Sequence, residues 1–123
     1  MHRVFLVATL VLVCTGSLCA QTHGALAPAD EYFGRMKMSI LGIRNALRDE
    51  TAKVTGDPRH ASAQLASCRW VEDAIEDWGR KYPHDTWLPT SIASLERVYV
   101  SIHTTRARTE AARLGAWARR RYR

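Results

Sequence analysis

Residues 61–83 read ASAQLASCRWVEDAIEDWGRKYP and carry the clearest periodic pattern in the chain. Apolar side chains recur along this stretch at intervals of three or four residues, which is the period of one face of an α-helix. Pro83 ends the pattern, because its ring lacks an amide donor and clashes with the preceding turn. The stretch therefore predicts a long amphipathic helix. Its predicted apolar face contains Ala61, Leu65, Cys68, Val71, Ile75, Trp78 and Tyr82.

The segment before this helix predicts another one of the same kind. Gly56, Asp57 and Pro58 form a break that suits the end of one helix and the start of the next. With Asp30 as the N-cap, we expect the first helix to run from about Glu31 to Lys53. Its predicted apolar face contains Phe33, Met36, Ile40, Ile43 and Leu47.

Two further helices are predicted after Pro83. Asp85 can cap the third helix, and Thr104 or Thr105 can cap the fourth. Short loops favour antiparallel neighbours, and no stretch outside the leader has the period of a strand. We therefore predict an all-α fold of four helices in two antiparallel hairpins, either helical-repeat-like or a small bundle. The apolar faces of these two helices contain Leu88, Ile92, Leu95, Tyr99 and Ile102, and then Ala107, Ala111, Leu114 and Trp117.

The first twenty residues are typical of an export signal. A basic start at Arg3 is followed by an apolar run and by small residues that permit cleavage after Ala20 or at a neighbouring bond. The apolar run is too short for a membrane-spanning helix, and Leu18 stands where a lipid-attachment site before Cys19 would have a small residue. We therefore expect a signal peptide at 1–20, a flexible lead-in at 21–29 and a single helical domain at 30–123. The predicted location is periplasmic or secreted, without a lipid anchor.

Removal of the leader changes the cysteine count. Cys68 is the only cysteine left after the leader is removed, and we expect it to be an inert buried thiol.

Removal of the leader leaves a basic chain. The formal net charge of +6 becomes +5, since Arg3 is the only ionised side chain of the leader. From Arg97 to the end there are eight arginines and one acid, Glu110. An exported protein rarely meets nucleic acid, so this basic segment fits an anionic envelope surface or an acidic partner, or else an ordinary solvated helix face.

The second half of the chain resembles a known helical repeat. An apolar helix ends in Tyr82 and Pro83, and after Trp87 come one helix with Leu95 and Tyr99 and another with Ala107 and Ala111. In this order of features, residues 71–123 are similar to the tetratricopeptide-type repeat. Shifting the sequence by 39 residues aligns Ile75 with Leu114. This period is longer than the usual repeat length of about 34 residues. The resemblance implies a scaffold that binds peptides or proteins in a groove and has no chemistry of its own.

Catalytic and metal motifs are not found in the sequence. Neither a haem-attachment motif nor a paired-histidine zinc motif occurs, and the serines lack the glycine-flanked turn of a hydrolase nucleophile. We therefore expect no enzymatic activity and no cofactor. Four carboxylates lie at residues 72, 73, 76 and 77, and the last two of them, Glu76 and Asp77, have basic residues four positions later, which favours a solvated face with ion pairs. Pairing of this acidic patch with the basic C-terminal helix is the alternative.

Tryptophan and arginine are the candidates for partner binding. Trp78 fits the core face, whereas Trp70 is offset from it and Trp87 lies near a helix start, so either one can be partly exposed in a binding groove. The alternative is that all four tryptophans pack in the interior. We predict a non-enzymatic protein-binding or scaffolding role, with a metal or haem carrier and a cationic envelope-binding protein as alternatives. The candidate partner-binding residues are Trp70, Trp87, Arg113, Arg119, Arg120 and Arg121.

Overall fold

Four α-helices make up most of the computed structural model, which describes residues 25–54 and 58–122. The helices are α1 (Ile40–Val54), α2 (Ala61–Lys81), α3 (Leu88–Ser101) and α4 (Thr105–Arg121), with a short 3-10 turn (Pro58–His60) before α2. The described residues contain no strand, only an isolated bridge between Phe33 and Met38. The all-α prediction with four helices is therefore confirmed.

The leader falls outside the described part of the chain. The predicted signal peptide at 1–20 and the predicted break at Gly56 and Asp57 both lie there. Among the helices of the described residues, none is long and apolar enough to cross a membrane.

A single cluster of buried apolar side chains connects all four helices. Helix α3 packs on α1, α2 and α4, and α1 packs on α2. Trp78, Leu95 and Leu114 are fully buried. Cys68 is a buried free thiol, as expected, and its burial raises its pKa to about 12. The other core members predicted from periodicity are Ile43, Leu47, Leu65, Val71, Ile75, Leu88, Ile92, Tyr99, Ile102 and Ala107.

The first helix begins later than its sequence pattern predicts. The expected start at about Glu31 is wrong, because α1 begins at Ile40. Residues 33–38 instead form a tight turn, in which the amides of Phe33 and Met38 each donate to the carbonyl of the other at 2.9 Å. Gly34 and Lys37 have positive φ values of 67° and 51°, which a right-handed helix does not allow. Phe33 remains a core residue, with its ring stacked on Trp78 at 5.9 Å between centroids.

Two carboxylates of α2 hold this turn in place. Asp77 Oδ2 accepts a hydrogen bond from the Gly34 amide at 2.9 Å, and Asp73 Oδ2 accepts one from the Arg35 amide at 2.8 Å. A Cβ atom on Gly34 would lie 2.8 Å from the backbone Cα of Ala74, so the turn approaches α2 as closely as only glycine permits. These contacts between distant parts of the chain outweigh the local helical pattern of residues 31–39.

Asp85 organises the connection between α2 and α3. Its carboxylate is buried and accepts hydrogen bonds from the Trp87 amide at 2.9 Å, from Trp78 Nε1 at 3.1 Å and from the Ala27 amide at 2.9 Å. It therefore ties both the start of α3 and the segment before α1 to the core. The predicted cap of α4 is confirmed, since Thr104 Oγ1 accepts from the Ala107 amide at 3.1 Å.

Candidate partner-binding groove

A groove of about 510 Å³ lies between α1 and α3. Arg44 and Trp87, near the starts of the two helices, line it at one end, and Val54 and Ser101 line it near the helix ends. The two helices therefore run in the same direction along the groove. The lining positions of α1 extend over about 15 Å and those of α3 over about 20 Å, at 1.5 Å per residue.

The groove has an apolar floor and a basic rim. Leu47 of α1 and Val98 of α3 line it and are buried, whereas Arg44, Arg48 and Arg97 line it and are exposed. The Trp87 side chain is 53% exposed, and the Arg44 guanidinium lies over its ring at 5.3 Å from the centroid. This combination of an exposed indole and guanidinium groups is typical of protein-binding surfaces.

The positive charge of the groove is largely uncompensated. Arg48 Nε lies 3.5 Å from Asp49 Oδ1 in an exposed pair. Arg97 donates to Ser94 Oγ at 3.0 Å, and Arg44 contacts the Trp87 ring. Within residues 25–54 and 58–122, no carboxylate forms an ion pair with either of these two arginines. The rim can therefore receive carboxylate or other anionic groups.

Four of the five hydroxyl groups that line the groove donate to their own helices. Thr51 Oγ1 donates to the Leu47 carbonyl at 2.7 Å, and Ser91 Oγ donates to the Trp87 carbonyl at 3.0 Å. On α3, Ser94 Oγ and Ser101 Oγ donate in the same way to the carbonyls four residues earlier, at 2.9 and 2.8 Å. A hydroxyl has a single donor proton, so these side chains can offer a ligand only acceptor lone pairs.

Trp70 lies in a different cavity from Trp87. This cavity, of about 330 Å³, is lined by residues of α2, by Arg35 of the turn and by Arg106 of α4. Trp70 is 39% exposed, with the Arg35 guanidinium 4.9 Å from its ring centroid. Arg35 also contacts Asp73 at 3.4 Å, and Arg69 contacts Glu110 at 2.5 Å. The positive charge of this cavity is thus mostly neutralised within the chain.

Arg113, predicted as a partner-binding residue, contacts acids of its own chain. Its guanidinium pairs with Glu72, with Glu76 at 3.3 Å and with Glu110 at 3.1 Å. The side chain therefore links α4 to α2. It lines neither of the two cavities.

The expectation that the acidic run of α2 is a solvated face is wrong, although the expected pair of Asp77 with Lys81 is present at 3.4 Å. Glu72 is only 3% exposed and accepts a hydrogen bond from Tyr99 Oη at 2.6 Å. Burial raises the pKa of Glu72, although the Tyr99 hydroxyl and Arg113 act in the opposite direction. Asp73 and Asp77 bind the turn before α1. The alternative interpretation, pairing with the basic helix, is what Glu72 and Glu76 do within this chain.

The remaining predicted residues lie apart from the groove. Arg119, Arg120 and Arg121 form the exposed last turn of α4 and line neither cavity. The expectation that all four tryptophans are interior is wrong, because Trp70 and Trp87 are exposed whereas Trp78 is in the core. Trp117 is half-buried and packs edge-on against Tyr122 at 5.9 Å.

Sequence reasoning missed the three groove arginines. Arg44 and Arg48 are four residues apart and flank the predicted apolar face of α1, and Arg97 flanks that of α3. The signal that identifies them is basic residues beside the apolar stripes of two helices that become neighbours. That neighbourhood depends on tertiary packing.

No group of three or more histidine, cysteine, aspartate or glutamate side chains within the described residues is arranged to hold a metal ion.

Comparison with protein-family models, with curated proteins and with solved structures finds no match to this chain.

Proposed function

We propose that this chain is an exported, non-enzymatic binding protein that holds an anionic segment of a partner protein in the groove between α1 and α3. The observation that carries the proposal is the exposed indole of Trp87 beside Arg44, with Arg97 further along the same groove. Neither arginine has a carboxylate partner within the described residues. Charged contacts at the rim of such a groove give specificity, and an aromatic side chain that becomes buried in the contact gives much of the binding energy.

The proposed scaffold consists of two antiparallel hairpins, α1 with α2 and α3 with α4. The common direction of α1 and α3 supports this arrangement. The pairs Arg69 with Glu110 and Glu72 with Arg113 support it as well, because they match α2 and α4 in the same order along both helices. The resemblance to tetratricopeptide-type repeats agrees with peptide binding in a groove. Export rests on the signal pattern of residues 1–20.

Site-specific photo-cross-linking in the native compartment tests this function. A photoreactive amino acid at Thr90, which is exposed in the groove, is compared with one at Ala112, which is exposed on α4. We expect a discrete adduct with one protein from position 90 only, and we expect Trp87→Ala or Arg97→Glu to abolish it. The same adducts from both positions, or an adduct that survives both substitutions, would contradict the proposal.

A second candidate function is binding to an anionic envelope surface through the end of α4. Arg119, Arg120 and Arg121 support it, since all three are exposed and none forms an ion pair with a carboxylate of the described residues. Binding of this kind weakens steeply with salt. Salt-sensitive retention on anionic vesicles, lost when the three arginines are replaced by glutamine, is the expected result. Unchanged retention of that variant would exclude the role.

A further inference from the structure

We propose that the segment held in the groove is an acidic amphipathic α-helix of about three turns. This inference rests on the proposed function and specifies the conformation and charge pattern of the partner segment. Three features of the groove support it: its length, the hydrogen-bonding state of its walls and the placement of its arginines.

The length of the groove suits a short helix. Its two walls extend over about 15 and 20 Å, which equals the length of roughly ten to fourteen helical residues. Both walls are helices, and side chains of a third helix can pack between them as ridges into the groove. The buried Leu47 and Val98 provide an apolar floor for the apolar face of such a helix.

The walls offer few partners to the backbone of an extended peptide. Apart from the helix ends, the backbone groups of α1 and α3 are used within the helices. The hydroxyls of Thr51, Ser94 and Ser101 donate to carbonyls of their own helix. Carbonyls of an extended peptide over the apolar floor would find donors only at the exposed margins of the groove, namely the rim guanidiniums, the Trp87 indole and the Thr90 hydroxyl. A buried carbonyl without a donor costs free energy, whereas a helix satisfies its own backbone. The groove therefore favours a helical ligand.

The arginines place the acidic residues of that helix on both sides of its apolar face. Arg44 and Arg48 lie one helical turn apart on the α1 rim, and Arg97 lies on the α3 rim. Two acids four residues apart on the ligand have a spacing of about 6 Å, which matches that of Arg44 and Arg48. A further acid on the opposite flank faces Arg97, and an apolar side chain packs on Trp87.

A random library of displayed sixteen-residue peptides tests the inference. Peptides are selected on the purified full chain and counter-selected on the variant with Trp87→Ala and Arg97→Glu. We expect groove-dependent peptides to be enriched in Asp and Glu and to carry apolar residues at helical spacing. Synthetic versions should gain helical circular dichroism on binding. Proline in their centre should weaken binding by about tenfold or more, because it breaks the helix.

The possible outcomes distinguish a failure of this inference from a failure of the proposed function. Groove-dependent peptides with alternating apolar residues, or without helix formation, would overturn the helical occupant and leave the function intact. Peptides without acidic enrichment would overturn the charge pattern. If no selected peptide distinguishes the chain from the counter-selection variant, both proposals fail. Anionic vesicles that bind to the groove and displace the peptides would also overturn the inference, in favour of a membrane surface.

Discussion

At the scale of single residues, ion pairs between α2 and α4 replace the solvated acidic face that the sequence predicts. Glu110 is 8% exposed and accepts from Arg69 and from Arg113. The hydrogen bond from Arg69 lowers the pKa of Glu110 below its ordinary value of 4.5, and Arg113 acts in the same direction. The pKa of Asp77 is also lowered. Burial alone would raise it, but the hydrogen bonds from the Gly34 amide and from Lys81 outweigh that effect.

These shifts predict a loss of stability in acid. Because the folded pKa of Glu110 is depressed, the unfolded chain binds the proton first as the pH falls below about 4.5. The stability that Glu110 contributes is thus present above that pH and is lost as the pH falls through the folded value. Glu72 has a raised pKa and contributes in the opposite direction, so a difference measurement is required.

Replacement of Glu110 by Gln provides this difference. Urea unfolding of the unaltered chain between about pH 6 and pH 3 should show stability falling with pH, and Glu110→Gln should flatten that fall. Asp49→Asn is the matched control, because Asp49 is exposed and forms an exposed ion pair with its neighbour Arg48. An unchanged slope in the Glu110 variant would show that its ion pairs do not contribute to folding.

At the scale of elements, the turn at residues 33–38 is the main departure from the sequence prediction. Periodicity located the bodies of the four helices, because each buries one face in a shared core. It placed the start of α1 too early, since Phe33 and Met36 continue the helical spacing. The amides of the turn donate hydrogen bonds to the carboxylates of Asp73 and Asp77, which lie about forty positions later in the chain. A local pattern contains no information about such partners.

Replacement of Gly34 by Ala tests the turn. A Cβ atom there would lie 2.8 and 2.9 Å from the backbone Cα and N of Ala74, at a φ of 67° that alanine rarely adopts. We expect a loss of about 2–4 kcal/mol in the free energy of unfolding. Gly42→Ala is the control, since Gly42 lies inside α1 with only ordinary contacts, the nearest being Ser39 Oγ at 3.4 Å. It should stabilise the protein by up to about 1 kcal/mol. Equal effects at the two sites would contradict the described turn.

At the scale of the whole molecule, the shared core determines which helices become neighbours and therefore which side chains meet at the surface. The predicted apolar faces supplied nearly all of the core, so the fold class followed from the sequence. The groove could not be predicted from the sequence, because it arises only where α1 and α3 pack side by side. Trp87 was identified as a candidate from its position near a helix start, but its neighbour Arg44 is more than forty residues away. Arg113 shows the reverse case, since its neighbours are carboxylates of its own chain.

Replacement of Leu95 by Asp tests the shared core. Leu95 is fully buried in the helix that contacts the other three, so an unpaired charge there should destabilise the whole fold by about 3 kcal/mol or more. Leu41→Asp is the control, because that side chain is 63% exposed. Thermal unfolding followed by circular dichroism measures both. A Leu95 variant as stable as the Leu41 variant would contradict the packing.

The central claim is that the partner segment binds between α1 and α3, and fluorine NMR of the chain labelled with fluorotryptophan tests it most directly. The chain has four tryptophans, and each reports a different place: Trp87 the groove, Trp70 the second cavity, Trp78 the core and Trp117 the contact with Tyr122. Titration with the cross-linked partner, or with a selected acidic peptide, should shift the Trp87 signal saturably and leave the other three nearly unchanged. A shift of the Trp70 signal with Trp87 unmoved, or no shift during confirmed binding, would contradict the account.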